Sequence, residues 1–355
     1  MRIKPLFLIL ALASATATAA PSLTWINLPA GSYTGFGLDI SGDGSSIAGW
    51  RDFLSVGGTE NFVWTASGGA QLLGTGIGPV DYNQPAADAH GTFVTGIYVS
   101  PSDSNYHAFR WSSGSILDLG VPMGTTSSGG YAISADGRTI GGIAAGGQAA
   151  IWSANPGNTS GTWTMLGTAG YVLGLSANGQ TAVGYDNRGH AFRWTALEGV
   201  QTLPTVAGGT TAAYAISGDG TTIVGTSDAA GATAFRWTAA TGIQPIGMGF
   251  AYDVSTDGSV IVGGSDGPGA EHAWVWDSIS GYRGLRDVLT GAGVPVETAW
   301  RLDSAQGVSD DGSIIVGYGV GPSGNIQPFV ATIPEPSVAT FLFATLFGWS
   351  IRRRR

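Results

Sequence analysis

The stretch Ile216-Ser-Gly-Asp-Gly-Thr-Thr-Ile-Val-Gly225 recurs with variation at Ile40–Gly49, Ala87–Gly96, Ile133–Gly142, Leu175–Gly184, Val254–Gly263 and Val308–Gly317, seven copies in all. Their terminal glycines are 47, 46, 42, 41, 38 and 54 residues apart. A period of about 40 residues constrains the fold more than any other feature here. It marks an array of supersecondary units, none of which can bury its apolar face alone.

One unit reads clearly from Tyr214 to Ile246. Tyr214-Ala-Ile216 is a short apolar strand, and Ser217-Gly-Asp-Gly220 is a turn, because Asp bonds its own backbone and Gly accepts positive φ. Thr221–Val224 is β-branched and returns as a strand, with Gly225–Gly231 expected as a loop. Thr233–Thr238 alternates, with Phe235 and Trp237 on one face and Arg236 on the other. Thr241-Gly242 then turns the chain into a fourth strand, Ile243–Ile246. Trp64, Trp111, Trp152, Trp194, Trp237 and Trp276 occupy one repeat position, where Phe329 is expected to stand in the seventh unit. A Trp fixed at a repeat position predicts packing between units, ahead of a row for stacking sugars. Four short antiparallel strands per unit predict an all-β, β-propeller-like domain over residues 21–333.

The 59 glycines and the 11% of charged residues suit short strands and tight turns. Without cysteine there is neither a disulfide nor a thiolate site. Between Pro21 and Pro336 nine Arg and no Lys face 24 acidic residues, a formal charge of −15. That balance disfavours nucleic acid and anionic membranes but not neutral glycans or divalent cations.

Both ends read as addresses. Residues 1–20 combine Arg2 and Lys4, an apolar run from Leu6 to Ala13, and the small residues Ala17-Thr-Ala19, as in a signal peptide cleaved near Ala19 and Ala20. Residues 334–355 place Pro334-Glu335-Pro336 before an uncharged, mostly apolar segment, Ser337–Ile351, and a final block of Arg352, Arg353, Arg354 and Arg355. As a helix the apolar segment would rise roughly 22 Å, short of a hydrocarbon core of about 30 Å. The Arg block is expected on the cytoplasmic side.

This three-part tail resembles the PEP-CTERM sorting signal of exported bacterial proteins. The resemblance implies recognition of Pro334, Glu335 and Pro336 by an exosortase-type processing enzyme, and transient anchoring in the inner membrane by a single hydrophobic helix. His107-Ala-Phe109, His190-Ala-Phe192 and the variant His272-Ala-Trp274 resemble the HAF repeats of extracellular bacterial proteins, a pattern that carries no assigned activity.

The seventh unit ends at Thr332 without a fourth strand, and Leu23–Leu28 precedes the first unit without three strands of its own. The N-terminal segment is therefore expected to complete the last unit and close the array. Residues 285–302 interrupt the period before the seventh unit and form either a functional insertion or a clasp near the seam. Trp50–Glu60 reads as an irregular first loop.

Candidate chemistry is sparse. His107, His190 and His272 share one repeat position and would not converge on a metal, so structural hydrogen bonding is expected. His90 falls in a turn where other units carry Asp or Asn. Asp43, Asp136, Asp219, Asp257 and Asp311 read as turn formers, with calcium an option near Asp310-Asp311 that lacks a calcium loop's ligand density. Arg110, Arg193 and Arg236 exchange with Val63, Ile151 and Val275, which points to a structural role. Gly263–Gly267 matches a nucleophile-elbow string and Gly319–Gly324 a dinucleotide string, but neither opens a helix. These readings assign no catalytic residue, metal or cofactor. They predict a non-enzymatic exported scaffold or binding module of the cell envelope or extracellular matrix, for exopolysaccharide or surface proteins. The alternative is an extracellular glycan-active enzyme with its site at the propeller mouth, for which Glu297 and Asp287 are candidate carboxylates.

Overall fold

The computed structural model describes residues 19–53, 58–74, 84–206, 208–228, 231–265, 272–322 and 324–334. The expected signal peptide before Ala19, together with Glu335, Pro336, the apolar run and Arg352 to Arg355, lies outside the described residues. Ala19 and Ala20 are exposed ahead of the first strand, and Pro334 is exposed just after the last. Among the described residues no helix is long and apolar enough to cross a membrane.

The described chain is all-β apart from the helix Leu285–Gly291. It forms five four-stranded antiparallel sheets and one of seven strands. The larger sheet turns on a strand of 15 residues, Gly161–Leu175. Its first part pairs with Gln148–Ala154, and from Gly170 onward it pairs with Thr181–Asp186. One strand thus ends a four-stranded unit and begins the next. Counted by these units, the sheets follow chain order as residues 32–72, 86–118, 128–169, 170–202, 211–248, 250–284 and 301–332.

The last sheet borrows its outer strand from the other end of the chain. Ser22–Trp25 pairs antiparallel with Ile326–Thr332, in the register Leu23↔Ala331 and Trp25↔Phe329. Ile26 extends the ladder by donating its N–H to the Pro328 carbonyl at 2.9 Å.

Apolar residues meet between sheets. Phe235 and Ile223 of the fifth sheet bury with Val183 and Leu203 of the fourth. Trp274 and Ile261 of the sixth bury with Val224 and Ala234 of the fifth. Ile40 and Ile47 of the first sheet bury with Val316 of the seventh. Each such contact removes two apolar faces from water, and at roughly 25 cal/mol per Å² these inter-sheet faces dominate the stability of the array.

The repeated turn joins the sheets a second way. Ser217 is fully buried. Its hydroxyl donates to Asp219 Oδ1 at 2.6 Å and accepts the Thr222 N–H at 2.9 Å. Asp219 accepts the Thr221 N–H in turn. Ser41–Asp43, Ser134–Asp136, Ser255–Asp257 and Ser309–Asp311 repeat this arrangement, and Ser176 uses Asn178. In the second sheet Asp88 stands at the Ser position and accepts the Phe93 N–H, while His90 lies 3.7 Å from Asp43.

The residue between Ser and Asp, or the Asp itself where that residue is Gly42 or Gly218, donates to the next sheet. Asp43 donates to the Ala89 carbonyl, Ala89 to Ala135, Ala135 to Ala177, and Ala177 to Gly218. Asp219 then donates to Thr256, Thr256 to Asp310, and Asp310 to Gly42 at 2.8 Å, so the circuit returns to the first sheet.

The structure corrects several local expectations. Phe329 does not occupy the Trp position: it pairs with Gly317 as Phe235 pairs with Gly225, and Ala331 stands where Trp237 does. A fully buried aromatic stands at the earlier position in six sheets, as Phe62, Phe109, Phe192, Phe235, Trp274 and Phe329, while at the Trp position Trp152 is fully buried and Trp237 only half-buried. The glycine opposite makes room for it. A Cβ on Gly317 would lie 2.0 Å from the Ser304 carbonyl oxygen and 2.8 Å from the Phe329 ring. Strands also run further than propensity suggests. Thr222–Ser227 continues into the expected loop, and Ser46–Phe53 and Gly58–Thr65 take up most of the expected first loop, because the ladder supplies bonds that local sequence does not announce. Arg301 and Leu302 belong to the strand Arg301–Val308, not to the insertion.

Residues 285–300 form a clasp. Leu285 and Leu289 bury with Phe329 and Ile333, and Leu23 and Trp25 pack against them. Arg286 donates to the carbonyls of Val296, Glu297 and Trp300, and the Trp300 ring meets Trp25 edge-on at 5.9 Å.

Candidate functional site

The first strand of six sheets carries a β-bulge shortly before its turn. Register shifts fall at Leu38, Tyr131, Leu173, Tyr214, Tyr252 and Gln306. An extra residue on one strand bends it and re-aims a side chain. All six bulged residues line one central cavity of about 400 Å³, bounded by the first strands of all seven sheets. Pro85 and Ala86 take the second sheet's place. The turn residues Gly42, Ala89, Ala135, Ala177 and Gly218 also border it, and their small size leaves the space open.

Part of the lining is aromatic. Tyr131 and Tyr171 rings lie 6.0 Å apart, and Tyr171 and Tyr185 lie 5.3 Å apart. Tyr214 sits 5.6 Å from Tyr252 and 6.5 Å from Phe250, and the last two stack at 5.9 Å. Burial pushes the Tyr214 hydroxyl up to about 12, so it stays neutral.

The lining is also acidic. Asp39 and Asp253 directly follow the bulges of the first and sixth sheets. Asp39 accepts the N–H of Ile40 at 2.9 Å and of Ala87, in the next sheet, at 2.8 Å. Asp253 accepts the N–H of Val308, again in the next sheet, at 2.8 Å. Burial pushes the Asp39 carboxyl up to about 6, against the pull of these N–H donors, and the Asp310 charge adds to the rise. Burial likewise holds Asp253 well above the usual carboxylate range, helped by the charge of Asp39. Asp310 completes the acidic lining and accepts the Thr256 hydroxyl at 2.5 Å. Among the described residues no Lys, Arg or His lines the cavity. Among the described residues no three His, Asp or Glu side chains are placed to share a metal ion.

Apart from Asp310, the candidate residues singled out from sequence fall elsewhere. His107 is buried between Asp118, at 2.8 Å, and Asp103, at 3.2 Å. His190 lies 3.4 Å from Asp186, and His272 bonds the Ser265 carbonyl at 2.8 Å. The three serve separate sheets. Arg110 is buried over the Phe93 and Trp152 rings and donates to Gly137 and Asn158, stitching the second sheet to the third. Glu297 and Asp287 are exposed on the clasp, and neither lines the cavity. Asp310 and Asp311 part company: the first lines the cavity and the second holds the turn. Sequence reading missed Asp39, Asp253 and the tyrosines. The available signal was the residue pair just before the repeat motif, where six copies carry Leu, Tyr or Gln followed by Asp, Ala or Gly.

No protein-family model matches the chain, and no curated protein is detectably similar to it. Among solved structures, the chain is similar to an oligogalacturonate lyase in complex with manganese. The TM-score is 0.59 at 12% identity, over 90% of this chain and 95% of that one. The fold is propeller-like. A second match, TolB from Acinetobacter baumannii, has a TM-score of 0.44 at 11% identity and covers 86% of this chain and 65% of that one. At such identities the likeness concerns the fold and nothing of its chemistry.

Proposed function

We propose that this chain is an exported, non-catalytic binding module of the cell envelope or matrix, built as a seven-bladed ring and recognising exopolysaccharide through its central cavity. The observation that carries the reading is the lining: tyrosine faces beside hydrogen-bonding carboxylates and Gln306, converging on about 400 Å³. Small-molecule sites combine apolar walls with a few placed polar groups in this way, and the volume lies within their usual range. The closed circuit of turn bonds and the pairing of Ser22–Trp25 with Ile326–Thr332 support the ring. The pattern of both termini supports export and handling by an exosortase-type enzyme, with surface proteins as further partners.

The test incubates the full-length chain with the producer's own exopolysaccharide and measures co-sedimentation and release of reducing ends. Retention without release is the expected result. Released ends would overturn the non-catalytic assignment in favour of a glycan-active enzyme, and absence of both signals would overturn polysaccharide as the partner.

A further inference from the structure

The central cavity has an electrostatic character that the general binding reading does not use. Three carboxylates, Asp39, Asp253 and Asp310, come from the first, sixth and seventh sheets, which are consecutive around the turn circuit. At the register of Asp39 and Asp253 the intervening sheet carries Gly307, which adds no side chain to that space. Asp310 is exposed, but burying Asp39 and Asp253 costs free energy, and an opposite charge normally offsets that cost. Here, among the described residues, the cavity lining supplies backbone N–H donors but no cationic side chain.

The same lining carries the rings of Tyr214, Phe250 and Tyr252, and Asp253 follows Tyr252 on one strand. Aromatic faces attract cations through their ring quadrupole, most strongly where water is excluded. The exported part's charge of −15 adds a long-range field that concentrates cations near the mouth. A bare metal ion would use the carboxylates and leave the rings idle. A neutral sugar would use the rings and leave the carboxylates uncompensated. A ligand with a positive nitrogen on a carbon skeleton uses both.

We propose that the central cavity is a site for a protonated organic amine, its ammonium group against Asp39 and Asp253 and its carbon skeleton against Tyr214 and Tyr252. The inference rests on the binding-module reading and narrows it: the glycan recognised carries free amino groups. A free polyamine offers the same chemistry and is the competing source. The titratable groups facing the cavity are the three aspartates and Tyr131, Tyr171, Tyr185, Tyr214 and Tyr252. Ammonium binding therefore strengthens as the aspartates ionise.

Calorimetric titration of the full-length chain at pH 7 tests this with three probes: a glucosamine tetramer, its fully N-acetylated counterpart and spermidine. The glucosamine tetramer is expected to bind at least tenfold more tightly than the acetylated one. The double variant Asp39→Asn with Asp253→Asn is expected to lose at least tenfold. Tyr214→Leu, which keeps an apolar side chain, is expected to lose severalfold with an unchanged circular dichroism spectrum, so the idea stays testable if the double variant fails to fold. Spermidine binding is expected to weaken from pH 7 to pH 5. Equal affinity for the two tetramers would overturn the amine inference and leave glycan binding standing. Binding of spermidine alone would keep the cavity assignment and overturn the glycan as source. No binding of any probe would overturn both.

Discussion

Trp25 and Phe329 meet edge to face, their ring centroids 5.8 Å apart at an interplanar angle of 76°. One belongs to the first strand of the chain and the other to the last, so a single aromatic contact ties the two ends together. Phe329 is fully buried, and the clasp helix packs on the same cluster through Leu285 and Leu289.

Phe329→Ala should destabilise the protein by about 3–5 kcal/mol, as expected for emptying a closed aromatic site. Trp25→Ala should cost less, since Trp25 is only half-buried. A double-mutant cycle by urea unfolding should give a coupling of about 0.5–1.5 kcal/mol beyond burial. Strict additivity would mean that the two rings do not cooperate across the seam.

Two glycines should respond with opposite signs. Gly317→Ala places a methyl 2.0 Å from the Ser304 carbonyl oxygen, and overpacking of that kind costs about 1–3 kcal/mol or more. Gly291, the last residue of the helix Leu285–Gly291, is exposed with nothing near its missing Cβ. Gly291→Ala should therefore stabilise by roughly 0.5–1 kcal/mol. Thermal melts of the two variants decide it, and a shift in the same direction for both would refute the packing account.

Ser217→Ala leaves the buried Thr222 N–H without its acceptor and removes a donor from Asp219. A loss of about 1–3 kcal/mol follows from an unsatisfied buried donor. Asp219→Asn should cost less than half as much, because Asn178 already fills this place beside Ser176. Denaturant midpoints for both variants provide the comparison.

The central aspartates give a pH dependence of unusual sign. Burial lifts Asp39 to about 6 and Asp253 well above 3.8, so the folded state holds these protons more tightly than the unfolded chain does. Their contribution to stability is fully present below the unfolded value and is lost as pH rises through the folded one. The turn acids run the other way. Burial pushes Asp219 up, but the donors of Ser217 and Thr221 outweigh it and leave its carboxyl below the ordinary value, so its contribution disappears in acid. Changing Asp39 and Asp253 together to Asn should thus raise the melting temperature more at pH 8 than at pH 4. An equal shift at both would show that the two carboxylates titrate like exposed ones.

Much of the architecture was legible because it depends on short-range physics that the chain repeats. The Ser-Gly-Asp-Gly turn, the returning β-branched strand and the aromatic strand after it are each set by neighbours within a few residues, and Ile216–Gly225 announces all but the last. The structural roles of His107, Arg110 and Asp219 were legible for the same reason, since His107 and Asp219 recur at a repeat position and Arg110 exchanges with apolar residues at one, as residues that answer to the scaffold do.

What only the tertiary structure decided is what happens where copies meet. The burial of Phe235 ahead of Trp237, and the place of Phe329 in that row, depend on which face the neighbouring sheet covers, and a two-residue shift leaves the strand's alternation unchanged. The site is the sharper case. Asp39 and Asp253 are ordinary residues in their own strands, 214 positions apart in sequence. They acquire an elevated affinity for protons, and a shared cavity, only when first strands converge and exclude water from carboxylates that have no cation beside them.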